Sequence, residues 1–205
     1  MIDLGLEPTH ISVEPGSKSD SIVLTIILDA LKDGGKVIWM TRELPDQRRI
    51  IDILGNLNDT KLANLIVLEF KENLSGKLEE IKSILDSKNN EDLLIIENWC
   101  EKYGRAKSKE ILLMKELEQY FNKFRIVITS YSYEDASGMN KDNQKFISRG
   151  GRIIQDLFRI IWITKIDGLN QKILIRDGEN EFIAESTKTG YKFINQSFEL
   201  IFLVL

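Results

Sequence analysis

The sequence predicts an α/β fold of three layers, with a mostly parallel central sheet, helices on both of its faces and an antiparallel meander near the C-terminus. Three observations carry this. Up to about residue 150, short Ile- and Val-rich runs alternate with longer segments of helical spacing. Beyond that point the helical spacing stops, and short strand-like runs are separated by Asp-Gly and Thr-Gly turn signals. The chain has 205 residues, 42% of them hydrophobic and 29% charged, which is enough apolar material for a sizeable core in a single domain spanning 1–205.

The strand runs come first. Residues 11–13, 36–40, 64–69, 93–97 and 125–129 are short and rich in β-branched residues, as fully buried parallel strands are. Between them, segment 21–32 carries Ile22, Leu24, Ile26, Ile27, Leu28 and Leu31. Segment 46–57 carries Ile50, Ile51, Ile53 and Leu54, and segment 74–87 carries Leu78, Ile81, Ile84 and Leu85. Segment 108–124 carries Ile111, Leu112, Met114, Leu117, Tyr120 and Phe121. Spacing of three and four residues gives each segment one apolar face, so each reads as a helix covering the sheet. A parallel strand–helix–strand unit closes with a right-handed crossover. Residues 159–165, 172–176, 181–185 and 191–195 then form the meander. A long polar loop is expected over 131–148, a length that usually carries function.

Charge and rare residues exclude several functions. With 28 Lys+Arg against 32 Asp+Glu, the chain is not a generally basic nucleic-acid coat protein, although a local basic patch remains open. Cys100 is the single cysteine and His10 the single histidine, so an intramolecular disulfide, a multi-cysteine zinc site and a two-histidine site are all excluded, and no metal site is expected. A reducing, cytoplasmic compartment fits this usage. The acidic N-terminus is not a secretory signal, and no apolar run approaches the ~20 residues of a membrane helix. The apolar run 200–205 reads as a buried strand rather than an anchor. The apolar end 198–205 could also be an edge strand completed by another subunit.

Residues 14–21, Glu-Pro-Gly-Ser-Lys-Ser-Asp-Ser, lie between the first strand and the first helix, where an α/β fold binds phosphate. A working loop, Gly-x-x-x-x-Gly-Lys-Ser/Thr, wraps phosphates in backbone N–H groups, neutralises them with lysine and holds magnesium with a hydroxyl. Two registers are possible here, and both fail. Placing Lys18-Ser19 on the Lys-Ser/Thr pair puts Ser17 and Ser12 on the glycines. Placing Gly16-Ser17 at the start of the usual Gly-Ser-Gly-Lys-Thr run puts Lys18, Ser19 and Asp20 on Gly, Lys and Thr. The second keeps the spacing to the helix but loses the lysine and adds a carboxylate. On the plainer reading Gly16 makes a turn and Ser19 or Asp20 caps the helix.

The order of these elements resembles the ATPase core of RecA/RadA-type recombinases, and especially the small archaeal RadA paralogs of RadB and KaiC-like type. "EPGSKSDSIVLTIILDALKDGGKVIWMTRE" is similar to their phosphate loop, first helix and second strand. "DLLIIEN" resembles the Walker B strand, with Glu97 where the family has Asp. "RIVITS" resembles the sensor strand, with Ser130 and Tyr131 at the polar positions. "SRGGRIIQDLFRIIWITK" resembles the segment that closes the second DNA-binding loop, with Gly150 and Gly151 as its glycine pair. The likeness spans roughly residues 10–190.

The resemblance implies a RecA-like core in which Glu43 is the water-activating acid and Glu97 the magnesium carboxylate, both vestigial if ATP is not turned over. Gly16, Ser17, Lys18, Ser19 and Asp20 would be a degenerate nucleotide loop. No cofactor is therefore expected, with ATP and magnesium doubtful. Nothing before residue 10 suggests a separate DNA-binding domain, so autonomous strand exchange is not expected.

A nucleic-acid face is suggested by charge and then placed by the resemblance. Residues 141–165 hold six cations against two carboxylates, with Tyr131, Tyr133 and Phe146 nearby. Cations for phosphates and aromatics for base stacking are what single strands require. Lys141, Lys145, Arg149, Gly150, Gly151 and Arg152 form the main candidate set, and Tyr103, Arg105 and Lys107 a second one after the Walker B strand. A solvated or partner-binding basic loop accounts equally well for the first set, and a loop whose Trp99 packs on the core accounts for the second. The expected function is a non-catalytic RadA/RecA paralog that assists recombination or repair. Its partners would be single-stranded DNA, bound weakly, and the main recombinase or another RecA-fold paralog, with a homo-oligomer possible and no membrane. The alternatives are an ATPase-dead subunit of a ring-shaped assembly, similar to the accessory subcomplex of Elongator, and a weak KaiC-like regulatory ATPase.

Overall fold

In the computed structural model, residues 4–17, 19–134, 146–166, 168–169 and 171–194 are described. The elements run in chain order as β1 (Thr9–Val13), α1 (Ser19–Lys32), β2 (Val37–Thr41), α2 (Gln47–Leu54), α3 (Asp59–Leu62), β3 (Leu65–Glu69), α4 (Leu74–Asp86) and β4 (Leu93–Glu97). They continue as α5 (Ser108–Glu116), a 3-10 turn (Leu117–Tyr120), β5 (Arg125–Tyr131), β6 (Tyr133–Glu134), β7 (Phe146–Ile147), α6 (Gly151–Leu157), β8 (Arg159–Lys165), β9 (Lys172–Asp177), β10 (Asn180–Thr187) and β11 (Gly190–Ile194).

The main sheet has nine strands in the order β11-β10-β9-β8-β1-β5-β4-β2-β3. From β3 to β8 every neighbour pair is parallel, and β8 to β11 pair antiparallel. The α/β class, the parallel sheet and the C-terminal meander are as the sequence predicts. All five residues of β1, β2 and β4 are buried, as strands covered on both faces must be.

Strand alternation splits the core into two. Val37, Trp39, Leu93, Ile95 and Val127 face one way and pack with α1 and α2. Ile38, Met40, Leu94, Ile96, Ile126 and Ile128 face the other way and pack with α4, α5 and α6. Each fully buried Ile or Leu contributes about 1.5–3 kcal/mol, so these two layers hold the sheet between its helices.

Three elements differ from expectation. The helix expected over 46–57 ends at Leu54. Gly55 closes it, and Asn58 starts the short α3 by accepting the Lys61 amide in its side chain. The helix expected to reach Phe124 tightens into a 3-10 turn after Glu116. The segment after the glycine pair forms α6, which the pattern read as a run into the next strand. The pairing of β6 with β7 falls inside the expected loop 131–148, whose centre lies outside the described residues, as does the apolar run 200–205. Among the described residues, no helix is long and apolar enough to cross a membrane.

Candidate functional site

The carboxyl ends of the parallel strands bring those predicted residues that are described to one edge of the sheet, the edge at which α/β folds bind ligands. The β1–α1 loop is bound to its neighbour β8. The Glu14 amide donates to the Ile163 carbonyl at 2.8 Å, and the Glu14 carboxylate accepts the Lys165 amide at 2.7 Å. The Ser17 amide then donates to the Glu14 carbonyl at 3.0 Å, which closes a turn. Gly16 takes φ 84° in that turn. A Cβ there would lie 2.6 Å from the Lys165 ammonium nitrogen, so a side chain from β8 covers the loop. The Ser17 hydroxyl is buried, with no hydrogen-bond partner among the described residues. Lys18 lies outside the described residues, as do the side chains of Ser19 and Asp20.

Glu97 ends β4 with its carboxylate buried, and it accepts the Trp39 indole N–H at 2.9 Å. Thr41 of β2 is its register partner on the adjacent strand. Glu43 follows on the exposed turn, where its carbonyl accepts the Thr41 hydroxyl at 2.8 Å. Among the described residues, no group of three or more His, Cys, Asp or Glu side chains could hold a metal ion.

Beneath this edge lies a buried polar pair. His10 is fully buried in β1, and its Nε2 lies 2.9 Å from the Ser130 hydroxyl. Burial pushes the imidazole down to about 3, so it is neutral. Burial likewise pushes the Cys100 thiol up to about 12, which leaves it unreactive. Trp99 is buried in the same core, with its ring 6.3 Å from His10.

The cationic residues divide into struts and exposed groups. Arg149 is only 4% exposed. Its Nε donates to the Tyr131 carbonyl at 3.0 Å, its Nη2 donates to the Lys102 carbonyl, and its guanidinium lies 5.3 Å from the Tyr133 ring centre. It therefore ties the end of β5, the 101–107 loop and β6 at one point. Gly150 follows with φ 87°, and a Cβ there would lie 2.1 Å from Ile154 of α6, so only glycine makes this turn. Gly151 then begins α6 with φ 60°.

Arg152 is outermost, with its side chain 91% exposed and loosely paired to Asp156 at 3.6 Å. Tyr103 is 76% exposed, and Arg105 is exposed beside it. Lys107 is drawn aside. Its ammonium binds Glu101 and lies 3.9 Å from Glu72, and the hydrogen bond to Glu101 raises the pKa of the lysine and lowers that of the glutamate. Lys141 and Lys145 lie outside the described residues.

Two residues here escape sequence reasoning. The Lys102 ammonium lies 5.0 Å from the Tyr131 ring centre and 5.5 Å from that of Tyr103, a cation–π pair that joins the two candidate regions. Lys165 reads as one more cation in a basic stretch, yet it covers the phosphate-loop turn.

No family model matches the chain, and neither does any curated protein. Solved structures do. A RadB recombinase matches with a TM-score of 0.67 at 12% identity, over 94% of this chain and 92% of that one. A KaiC-like protein from Pyrococcus horikoshii matches with a TM-score of 0.64 at 12% identity, over 93% and 90%. A DnaB-like replicative helicase matches with a TM-score of 0.60 at 10% identity, over 91% of this chain and 57% of that one. At such identity the likeness is one of fold, and the fold is RecA-like.

Proposed function

We propose that this chain is a non-catalytic RadA/RecA paralog that binds single-stranded DNA, and through its RecA-like core a recombinase, to assist recombination or repair. The observation that carries this reading is the Arg149 clamp. It fixes the 101–107 loop and the start of the 132–147 segment to the end of one strand. Exposed Tyr103 and Arg105 project beside it, and Arg152 emerges three residues further on. Aromatic faces beside solvated cations suit a flexible strand, whose bases stack and whose phosphates release counterions.

The loss of turnover rests on the β1–α1 loop. It lacks the Gly-Lys pair, Glu14 is spent on binding β8, and Glu97 is held by Trp39. Arg149 then acts by positioning the loops, and the DNA contacts fall to Tyr103, Arg105 and Arg152, with Lys141 and Lys145 from the same stretch. Changing Tyr103, Arg105 and Arg152 together to Ala should weaken binding of a labelled oligonucleotide by about tenfold or more, read by fluorescence anisotropy. Unchanged affinity would remove the face from the proposal.

A weak regulatory ATPase is the second reading, and the Lys165 ammonium over Gly16 favours it. A rise in melting temperature with magnesium-ATP that disappears in Lys165→Ala would support it, and no rise at millimolar nucleotide would end it.

A further inference from the structure

At the opposite edge of the sheet, near the starts of β4 and β5, a groove of about 670 Å³ opens between α1 and the outermost strand β11. Ile22 and Ile26 of α1 form one wall, and Tyr191 and Phe193 of β11, with Ile175 of β9, form the other. Asp29, Asp33 and Glu91 lie among its polar residues, together with Arg125. The walls are fixed. The Thr25 hydroxyl donates to the Ser21 carbonyl and accepts the Tyr191 amide at 3.0 Å, and Arg49 donates to the Ser21 hydroxyl and to the Thr187 and Lys188 carbonyls. The groove is therefore a built space between a helix and a sheet edge rather than a gap that could collapse.

We infer that this groove is the docking site for the chain's own segment 198–205. Position and composition argue for that occupant. Phe193 lines the groove, and β11 ends one residue later at Ile194. Asn195-Gln196-Ser197 follows as a polar spacer, about 10 Å of reach at ~3.3 Å per residue. Next comes Phe-Glu-Leu-Ile-Phe-Leu-Val-Leu, in which seven of eight residues are apolar. Left in water, such a segment would be an apolar patch of the kind that drives association. An apolar groove lies within a spacer's length of it, so docking within the same chain pays little loop-closure entropy.

The test is a cross-link in the full chain carrying Asp33→Cys and Leu203→Cys, with a short bis-maleimide. Buried Cys100 stays silent. The expected result is a cross-linked monomer that persists on dilution, with the yield falling about tenfold or more when Phe193→Asp puts a charge in the wall. Dimers that vanish on dilution would assign the groove to a second copy, and the absence of any cross-link in the double-cysteine chain would leave the segment elsewhere. Either would overturn the inference. Because the first comparison is made in the chain with its groove intact, it does not depend on whether the Phe193 variant folds.

Discussion

Two regions share the carboxyl edge of the sheet and use charge in opposite ways. At the β1–α1 loop and the end of β4, two carboxylates are taken up by hydrogen bonds that hold the structure. Glu14 accepts a backbone amide of β8, and Glu97 accepts the Trp39 indole. Around the end of β5, cations dominate. One of them, Arg149, is buried as a strut, and others, Arg105 and Arg152, remain in solvent. The fold supplies both positions. In the first the charged groups are consumed in holding the structure, and in the second one charge is consumed so that others can be presented. The proposed loss of turnover and gain of a strand-binding face rest on this contrast.

The largest expected effect breaks the second region alone. Gly150→Ala forces a left-handed residue and drives a methyl group into Ile154. Urea unfolding should show a loss of about 3 kcal/mol, and a loss under 1 kcal/mol would mean that the turn is not held as described. Trp39→Phe tests the first region. It leaves the Glu97 carboxylate buried with its indole donor gone, at a cost of about 2 kcal/mol by the same assay. Recovery of that loss in a Trp39→Phe, Glu97→Leu double variant would show that the carboxylate serves structure there.

Titration of His10 sharpens the comparison further, because its pair with Ser130 lies beneath the edge that carries both regions. Its folded pKa, about 3, is below the ordinary 6.5. The unfolded chain therefore binds the extra proton between these values. Stability from this group is fully present above pH 6.5 and declines as pH falls toward 3. The slope is about 1.4 kcal/mol per pH unit, so about 2 kcal/mol is lost by pH 5. His10→Gln should flatten that part of the stability curve, and an unchanged slope would place the acid sensitivity on other groups.

Much of the fold was legible in the sequence because burial writes itself into periodicity. The strands at 93–97 and 36–40 are unbroken apolar runs, and α1 and α4 repeat every three to four residues. Where local chemistry competes with periodicity, the reading slipped. Gly55 ended a helix whose apolar spacing continued past it, and the Gly150-Gly151 pair looked like a loop end although it starts α6. The site was less legible for a different reason. A cation's role depends on what surrounds it, and surroundings are tertiary. Arg149 and Arg152 look alike in sequence, but one is buried against two carbonyls and the other is solvated. Lys165 meets Gly16 across about 150 residues of chain, a contact that no local pattern encodes.

The central claim is that the cationic edge works without nucleotide turnover. The most direct test is anisotropy of a labelled single-stranded oligonucleotide, titrated with the intact protein at low and moderate salt, with and without magnesium-ATP. The account predicts binding that weakens steeply with salt and is the same with and without ATP. Absence of binding at low salt, or binding that appears only with ATP, would contradict it.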